Sequence, residues 1–243
     1  MKGFFRTLMD KSRSSRPFCT AVVAAAGSSR RYGEENKLLM PLTGIPVLAR
    51  TFLAVEHAES IDEIVIAARE SDLMVYAELC RTYGLQKPVK IVVGGATRTE
   101  SVLRAALEAN AEAKLIAVQD GARPLVTPEL IDEVVQRAAL CSAAAPAVPV
   151  KDTIKVAQNH VVQQTPNRAA LFAVQTPQVF DAGLLKAALQ SALADGAQIT
   201  DDCSAVERLG KEIYLTDGLE ENFKITTPLD LIVAEAILDR RGE

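Results

Sequence analysis

Two arginines and a lysine follow an apolar run and a small-residue loop in Val22-Val23-Ala24-Ala25-Ala26-Gly27-Ser28-Ser29-Arg30-Arg31-Tyr32-Gly33-Glu34-Glu35-Asn36-Lys37, and that order has the chemistry of a polyphosphate grip. The uncharged run reads as a strand covered on both faces. The Gly and Ser residues after it let backbone N–H groups approach an anion closely, and Arg30, Arg31 and Lys37 add the charge. Gly27 and Gly33 lack the spacing of a GxGxxG dinucleotide loop, and no Gly-Lys-Ser/Thr follows as a P-loop requires. Taken alone, the segment serves equally well as an exposed strand-to-helix turn with solvated charges, so the rest of the chain has to decide.

Two further polar loops follow apolar runs: Gly94-Gly95-Ala96-Thr97-Arg98-Thr99 and Gln119-Asp120-Gly121-Ala122-Arg123-Pro124. Strand-like runs at Thr20–Ala25, Glu63–Ala67, Lys90–Val93, Leu115–Val118 and Ala143–Val148 alternate with helical patterns near Val47–Ala58, Leu73–Tyr83, Thr99–Ala109 and Pro128–Ala138. Serial βα order predicts an α/β, Rossmann-like fold with a mostly parallel sheet and helices on both faces. Ligands of such a sheet bind beyond the carboxyl ends of the strands, where all three loops fall. Thr127-Pro128 and Thr227-Pro228 each place an N-cap hydroxyl before a proline at the first helical position, and the second opens a C-terminal helix, Pro228–Arg240.

From Val150 to about Thr176 the alternation breaks. Thr153-Ile154-Lys155-Val156 and Val161-Val162-Gln163-Gln164-Thr165, joined by Ala157-Gln158-Asn159-His160, read as a protruding β-hairpin arm over about 150–176. A lone hairpin has too little core to be stable by itself, so a second subunit is its natural support.

With 243 residues, 49% of them hydrophobic, the chain can bury a sizeable core. No uncharged stretch approaches the roughly 18–20 apolar residues of a membrane span. A net charge of −4 argues against broad nucleic-acid binding, which shows as a basic domain; an anion site must be a local gathering of Arg and Lys. Cys19, Cys80, Cys141 and Cys203 are far apart, without a CxxC pair and with only His57 and His160 beside them, so neither a metal cluster nor a redox motif is indicated and a reducing cytoplasm is expected. Residues 1–17 carry Lys2, Arg6, Lys11, Arg13 and Arg16 against Asp10, a basic tail expected to be disordered ahead of a single domain over 18–243; the end of an organellar transit peptide is the alternative.

The loops in this order resemble the nucleotidyltransferase fold, and in detail the 2-C-methyl-D-erythritol 4-phosphate cytidylyltransferase family of non-mevalonate isoprenoid synthesis. The resemblance covers about residues 19 to 240. It includes Ala25-Ala26-Gly27 through Arg31 to Lys37, Gly94-Gly95 with Arg98 and Ser101-Val102, and Asp120-Gly121-Ala122-Arg123-Pro124. It continues through Pro149-Val150-Lys151-Asp152-Thr153-Ile154-Lys155, Gln175-Thr176-Pro177-Gln178-Val179-Phe180, Thr200-Asp201-Asp202 and Asn222-Phe223-Lys224-Ile225-Thr226.

The resemblance implies transfer of CMP from CTP to methylerythritol phosphate with release of pyrophosphate. Such a reaction needs cations around a pentavalent phosphorus and alignment of two repelling anions. Arg31 and Lys37 are implied as transition-state stabilisers, and Lys224 as a further cation that also holds the sugar phosphate. Ala25, Ala26, Gly27, Gly95, Ser101, Asp120 and Arg123 are the implied nucleotide-binding positions, with cytosine read largely by backbone groups. Ser101 has an ordinary first-turn helix serine as its plain alternative.

Mg²⁺ or another divalent cation is the implied cofactor, since Mg²⁺ takes one or two carboxylates together with phosphate oxygens. Asp120 is the candidate ligand and Glu221 a lesser one; a capping carboxylate and a solvated surface acid are their respective alternatives. The arm is implied to cross to the partner of a homodimer, bringing Arg168 and Thr153 to the methylerythritol phosphate of the other subunit's site.

The chain departs from the family pattern at Ala96, where many relatives carry an acid, and in a loop before Lys37 that is shorter and lacks a proline, which leaves Arg30 as a rival to Arg31. No cyclodiphosphate synthase is expected to be fused after residue 243. The Val148–Lys155 segment favours the methylerythritol enzyme over a ribitol 5-phosphate cytidylyltransferase. A nucleotide-binding regulator without turnover is the reading from another class.

Overall fold

The computed structural model describes residues 16–27 and 36–242. Arg31 and most of the expected basic tail lie outside the described residues. Arg16 does not: its guanidinium forks onto Asp62 at 2.6 and 2.7 Å and reaches Ser60 O at 3.0 Å, so the body of the fold takes hold of the chain by this residue.

The central sheet has eight strands. Five follow the βα reading: β1 (Cys19–Ala24), β4 (Glu63–Ala68), β5 (Val89–Val93), β6 (Leu115–Asp120) and β7 (Ala143–Pro149). Between β1 and β4 a small ribbon of β2 (Pro41–Leu42) and β3 (Ile45–Pro46) leads into α1 (Val47–His57). The other helices on that first half are α2 (Leu73–Thr82), α3 (Arg98–Leu107) and α4 (Pro128–Cys141). β6 lies parallel to β1, β1 to β4 and β4 to β5.

Alternate strand residues explain why both faces carry helices. Cys19, Ala21 and Val23 of β1, with Ile64 and Ile66 of β4, enter one apolar cluster, while Val22 and Val65 enter the other. The first cluster packs α1, α2 and α4; the second packs α3 and α5 (Ala182–Ala194). Period-2 alternation with both sets apolar is the pattern of a sheet with no wet face.

Further elements complete the sheet: β10 (Phe172–Val174), β11 (Gln178–Asp181), α6 (Asp202–Glu207), β12 (Tyr214–Asp217) and α7 (Pro228–Arg241). β11 is inserted between β6 and β7 and is antiparallel to both, and β12 lies parallel to β7. Strands β10 and β11 pair successive parts of β7, and Gln175-Thr176-Pro177 between them leaves the ladder. That departure lets Thr176 Oγ1 accept the Asp120 backbone N–H at 3.1 Å.

The hairpin is present as β8 (Val156–Gln158) and β9 (Val161–Gln164), and it forms a sheet of its own. Its link is tighter than the four residues expected and its first strand starts at Val156, not Thr153. Asn159 and His160 both adopt positive φ, 50° and 63°, which makes a two-residue connection whose twist matches that of the strands. Ile154, Val156, Val161 and Val162 on this arm are exposed. Thr127 caps α4 by accepting the Leu130 N–H, with Pro128 in the first turn; at α7 the Asp230 carboxylate accepts the N–H groups of Thr226 and Thr227, each at 2.7 Å. No helix among the described residues is long and apolar enough to cross a membrane.

Candidate active site

Three strands end at one crevice. Register places Ala24 beside Asp120 at the carboxyl ends of β1 and β6, and Gly94 N–H is held by Ala68 O at 2.8 Å beyond β4. A cleft of about 360 Å³ opens there, lined by Ala26, Gly27, Lys37, Gly95, Ser101, Asp120 and Lys224 together with Ala96, Thr97 and Arg98. Gly94 is needed for close approach: a Cβ at this position would sit 2.5 Å from Ala26 Cβ and 2.8 Å from Ser101 Oγ. Ser101 Oγ accepts the Gly95 N–H at 2.9 Å and donates to Thr97 O at 2.8 Å, so the helix start of α3 fixes the shape of the glycine loop.

Asp120 is the electrostatic centre of the cleft. Lys224 Nζ lies 2.8 Å from its Oδ2, Arg98 donates from Nε and Nη2 to its Oδ1 at 3.3 and 3.2 Å, and Arg123 Nε stands 3.9 Å from Oδ2. Burial alone would raise the pKa of this carboxyl; Arg98, then Lys224 and Arg123, outweigh it and hold the value at about 2. The group is therefore an anion at any working pH. Arg98 also reaches Asp202 Oδ2 at 2.8 Å. Burial disfavours the Arg98 charge, but Asp202 and Asp120 more than restore it and its pKa is raised.

The loops after β6 and before α7 are zipped together. Ile225 N–H donates to Ala122 O at 2.8 Å, Arg123 Nη1 to Asn222 O at 2.5 Å, and Lys37 Nζ to Ile225 O at 2.8 Å. Two lysines 187 positions apart in sequence, Lys37 and Lys224, are thereby brought to one cleft. Behind the first loop, buried Tyr76 OH donates toward Ala25 O and Asp72 Oδ2 at 3.3 Å each and accepts from Asn36 Nδ2 at 3.2 Å. This one hydroxyl ties Ala25, at the end of β1, to Asn36, the residue before Lys37.

Of the residues expected from the sequence, Ala26, Gly27, Lys37, Gly95, Ser101, Asp120 and Lys224 line the cleft. Ala25 lies beneath it, its methyl in the core and its N–H bonded to Ala67 O at 2.9 Å. Arg123 stands behind Asp120, mostly buried; burial lowers its pKa. Thr153 and Arg168 do not line the cleft of their own chain; Arg168 Nη1 instead donates to Lys151 O at 2.9 Å. Glu221 is not at the cleft either: its carboxylate is held by Arg240 and, at 2.7 Å, by Arg241, a clasp on the C-terminal helix in place of metal ligation. Arg98 and Asp202 carried no assigned role in the sequence reading. The signal that existed was their place in two of the quoted motifs, but nothing local pairs residues 104 positions apart.

The sequence profile described as 2-C-methyl-D-erythritol 4-phosphate cytidylyltransferase matches residues 19–240. The chain belongs to this family. A cytidylyltransferase of this name from Bacillus cytotoxicus is 42% identical over 220 residues, covering 90% of this chain and 97% of the relative. One from a Synechococcus species is 42% identical over 236 residues, covering 91% and 97%. Among solved structures, the 4-diphosphocytidyl-2C-methyl-D-erythritol synthase of Anaerococcus prevotii superposes with a TM-score of 0.83 at 29% identity, covering 92% of this chain and 97% of that one. The 2-C-methyl-D-erythritol 4-phosphate cytidylyltransferase of Thermus thermophilus gives 0.73 at 30% identity, covering 91% and 99%. Membership of this cytidylyltransferase family accounts for the mostly parallel sheet with helices on both faces and for the cleft at its strand ends.

Proposed function

We propose that the chain transfers the cytidylyl group of CTP to 2-C-methyl-D-erythritol 4-phosphate, forming 4-diphosphocytidyl-2-C-methyl-D-erythritol and pyrophosphate. The observation that carries this reading is the convergence of Lys37 and Lys224 on a glycine-lined cleft whose floor holds one ionised carboxylate, Asp120. The bond that forms joins an acceptor phosphate oxygen to the α-phosphorus of CTP; the bond that breaks is the one to pyrophosphate. Both partners are anions, so fixed ammonium groups aligned on the phosphorus supply the transition-state stabilisation. Lys37 and Arg31 act on the transferred phosphoryl group, and Lys224 holds the acceptor phosphate.

Cytosine is read by the Ala26–Gly27 and Gly95 backbone. Ser101 keeps the Gly95 peptide oriented.

Asp120 fits a divalent cation in its chemistry: it is a buried carboxylate held ionised at the cleft floor. No cluster of three or more His, Cys, Asp or Glu capable of holding a metal lies among the described residues, so the nucleotide's phosphate oxygens would complete the shell, as Mg²⁺ favours. When bound, such an ion neutralises charge building up on the triphosphate. Lys224, now paired with Asp120, is the ammonium that moves to the acceptor phosphate.

We read the working unit as a homodimer in which the arm carries Arg168 and Thr153 to the partner's cleft. The exposed apolar residues of the arm support this, as does the absence of both side chains from the described lining of their own chain's cleft. All four cysteines are unpaired, in keeping with work in a reducing cytoplasm.

Mass analysis of a reaction with CTP, Mg²⁺ and methylerythritol phosphate tests the proposal. A product carrying cytidine, both phosphates and the tetrol is expected. CTP binding with no such product would replace it with a binding-only role.

A further inference from the structure

Asp202 is fully buried at the start of α6, and its Oδ1 has no hydrogen-bond partner among the described residues. Its Oδ2 lies 2.8 Å from Arg98 Nη2. Leaving a buried charge so thinly satisfied is costly, and the surroundings show that its position is fixed. Gln178 Oε1 accepts the N–H groups of Asp202 and Cys203 at 3.0 Å each, and Gln178 Nε2 donates to Asp201 Oδ2 at 2.8 Å. Asp201 in turn caps α6 through the Ser204 N–H.

Arg98 therefore stands between two carboxylates from different elements. An arginine and a single carboxylate prefer a side-on pair, two parallel N–H···O bonds that engage both oxygens. Arg98 does not make that pair with Asp120. The two nitrogens it turns to Asp120, Nε at 3.3 Å and Nη2 at 3.2 Å, both fall on Oδ1, while Nη2 is also drawn to Asp202. Asp120 Oδ2 is left to Lys224.

We propose that Asp202 is a positioning residue, holding Arg98 off the side-on pair so that one oxygen of Asp120 remains available to Lys224 and to a cation at the cleft. This deepens the transferase reading and rests on it, because the shared oxygen matters only if Asp120 and Lys224 serve the reaction. Among the described residues, three cations and two carboxylates meet here. Removing the Asp202 charge lets Arg98 take both oxygens of Asp120 and releases Lys224 from its anchor.

The test uses Asp202→Asn in the full chain, with KM for methylerythritol phosphate and kcat measured beside wild type. KM is expected to rise about tenfold, the worth of one charge-assisted hydrogen bond, with a smaller fall in kcat. Adding Arg98→Lys is expected to bring KM back toward wild type, since an ammonium cannot engage both oxygens side-on. If Asp202 merely neutralised Arg98, the second change would leave the cation unpaired and KM high.

A crystal structure of Asp202→Asn gives a readout independent of turnover. Arg98 side-on to Asp120 with Lys224 displaced is expected; an unmoved Lys224–Asp120 contact overturns the proposal. Should Asp202→Asn not fold, Asp202→Ala carries the same two readouts. A wild-type enzyme silent with this acceptor would count against the transferase reading itself, whereas an active wild type with an unchanged Asp202→Asn KM would count against the positioning role alone.

Discussion

Lys224 Nζ lies 2.8 Å from Asp120 Oδ2, an ion pair that joins the end of β6 to the turn before α7 inside the cleft. The pair helps keep Asp120 ionised and holds both side chains at the site without substrate. In the proposed reaction, Asp120 would share this oxygen with a cation as Lys224 turns to the acceptor phosphate.

Lys37→Ala is expected to lower kcat by about 10²- to 10³-fold, the loss seen when one preorganised donor to a transition state is removed. KM for CTP should change less. Stopped assays on protein with a native near-UV circular dichroism spectrum check this; near-normal turnover would remove Lys37 from the phosphorus.

Acid stability follows from Asp120. Its folded pKa of about 2 lies below the ordinary carboxylate range, so the group contributes stability that is present above about pH 4 and is lost as pH falls toward 2. The size at neutral pH is about 2 kcal/mol. Burial gives Asp202 a raised pKa, which works in the opposite direction and destabilises its charged form at neutral pH. Urea titrations of wild type and Asp120→Asn between pH 5 and 3 should show a stability gap that narrows as pH falls. A gap constant with pH would mean that Asp120 is not stabilised by its three cations.

Much of this site was legible because its parts are local. The apolar runs Thr20–Ala25 and Leu115–Val118 each announce a strand followed by a polar loop, and parallel order puts both loops at one edge. The partners of Asp120 were legible only in part: Lys224 came from the resemblance, whereas Arg98 and Asp202 meet because α5 packs against both α3 and α6. β11 and β12 were missed because four-residue strands carry too little alternation to read, and β11 runs against its neighbours. α5 was missed too; its Ala- and Leu-rich sequence has little polar face to mark a period.

Tyr76→Phe removes the hydroxyl that links Ala25 to Asn36. A loss of about 1–2 kcal/mol is expected in urea unfolding, as for a buried hydrogen-bonding group left without its partner. KM for CTP should rise with it, because the same hydroxyl holds the two stems from which Ala26 and Lys37 reach the cleft. A destabilised variant with unchanged KM would make Tyr76 a support of the fold only.

Mixing Arg168→Ala subunits with Lys37→Ala subunits tests the proposed shared site. A heterodimer has one site with Lys37 from one chain and Arg168 from the other, so activity should return on mixing while each homodimer stays impaired. No recovery, with heterodimers shown to form, would mean that the arm serves its own chain.

The central claim is tested most directly by pyrophosphate release from CTP and Mg²⁺, with 2-C-methyl-D-erythritol 4-phosphate and ribitol 5-phosphate offered in separate reactions. Release with the first and none with the second is the predicted result. Release with ribitol 5-phosphate alone would contradict it, leaving the cation roles of Lys37 and Lys224 in place but assigning them to a different polyol phosphate.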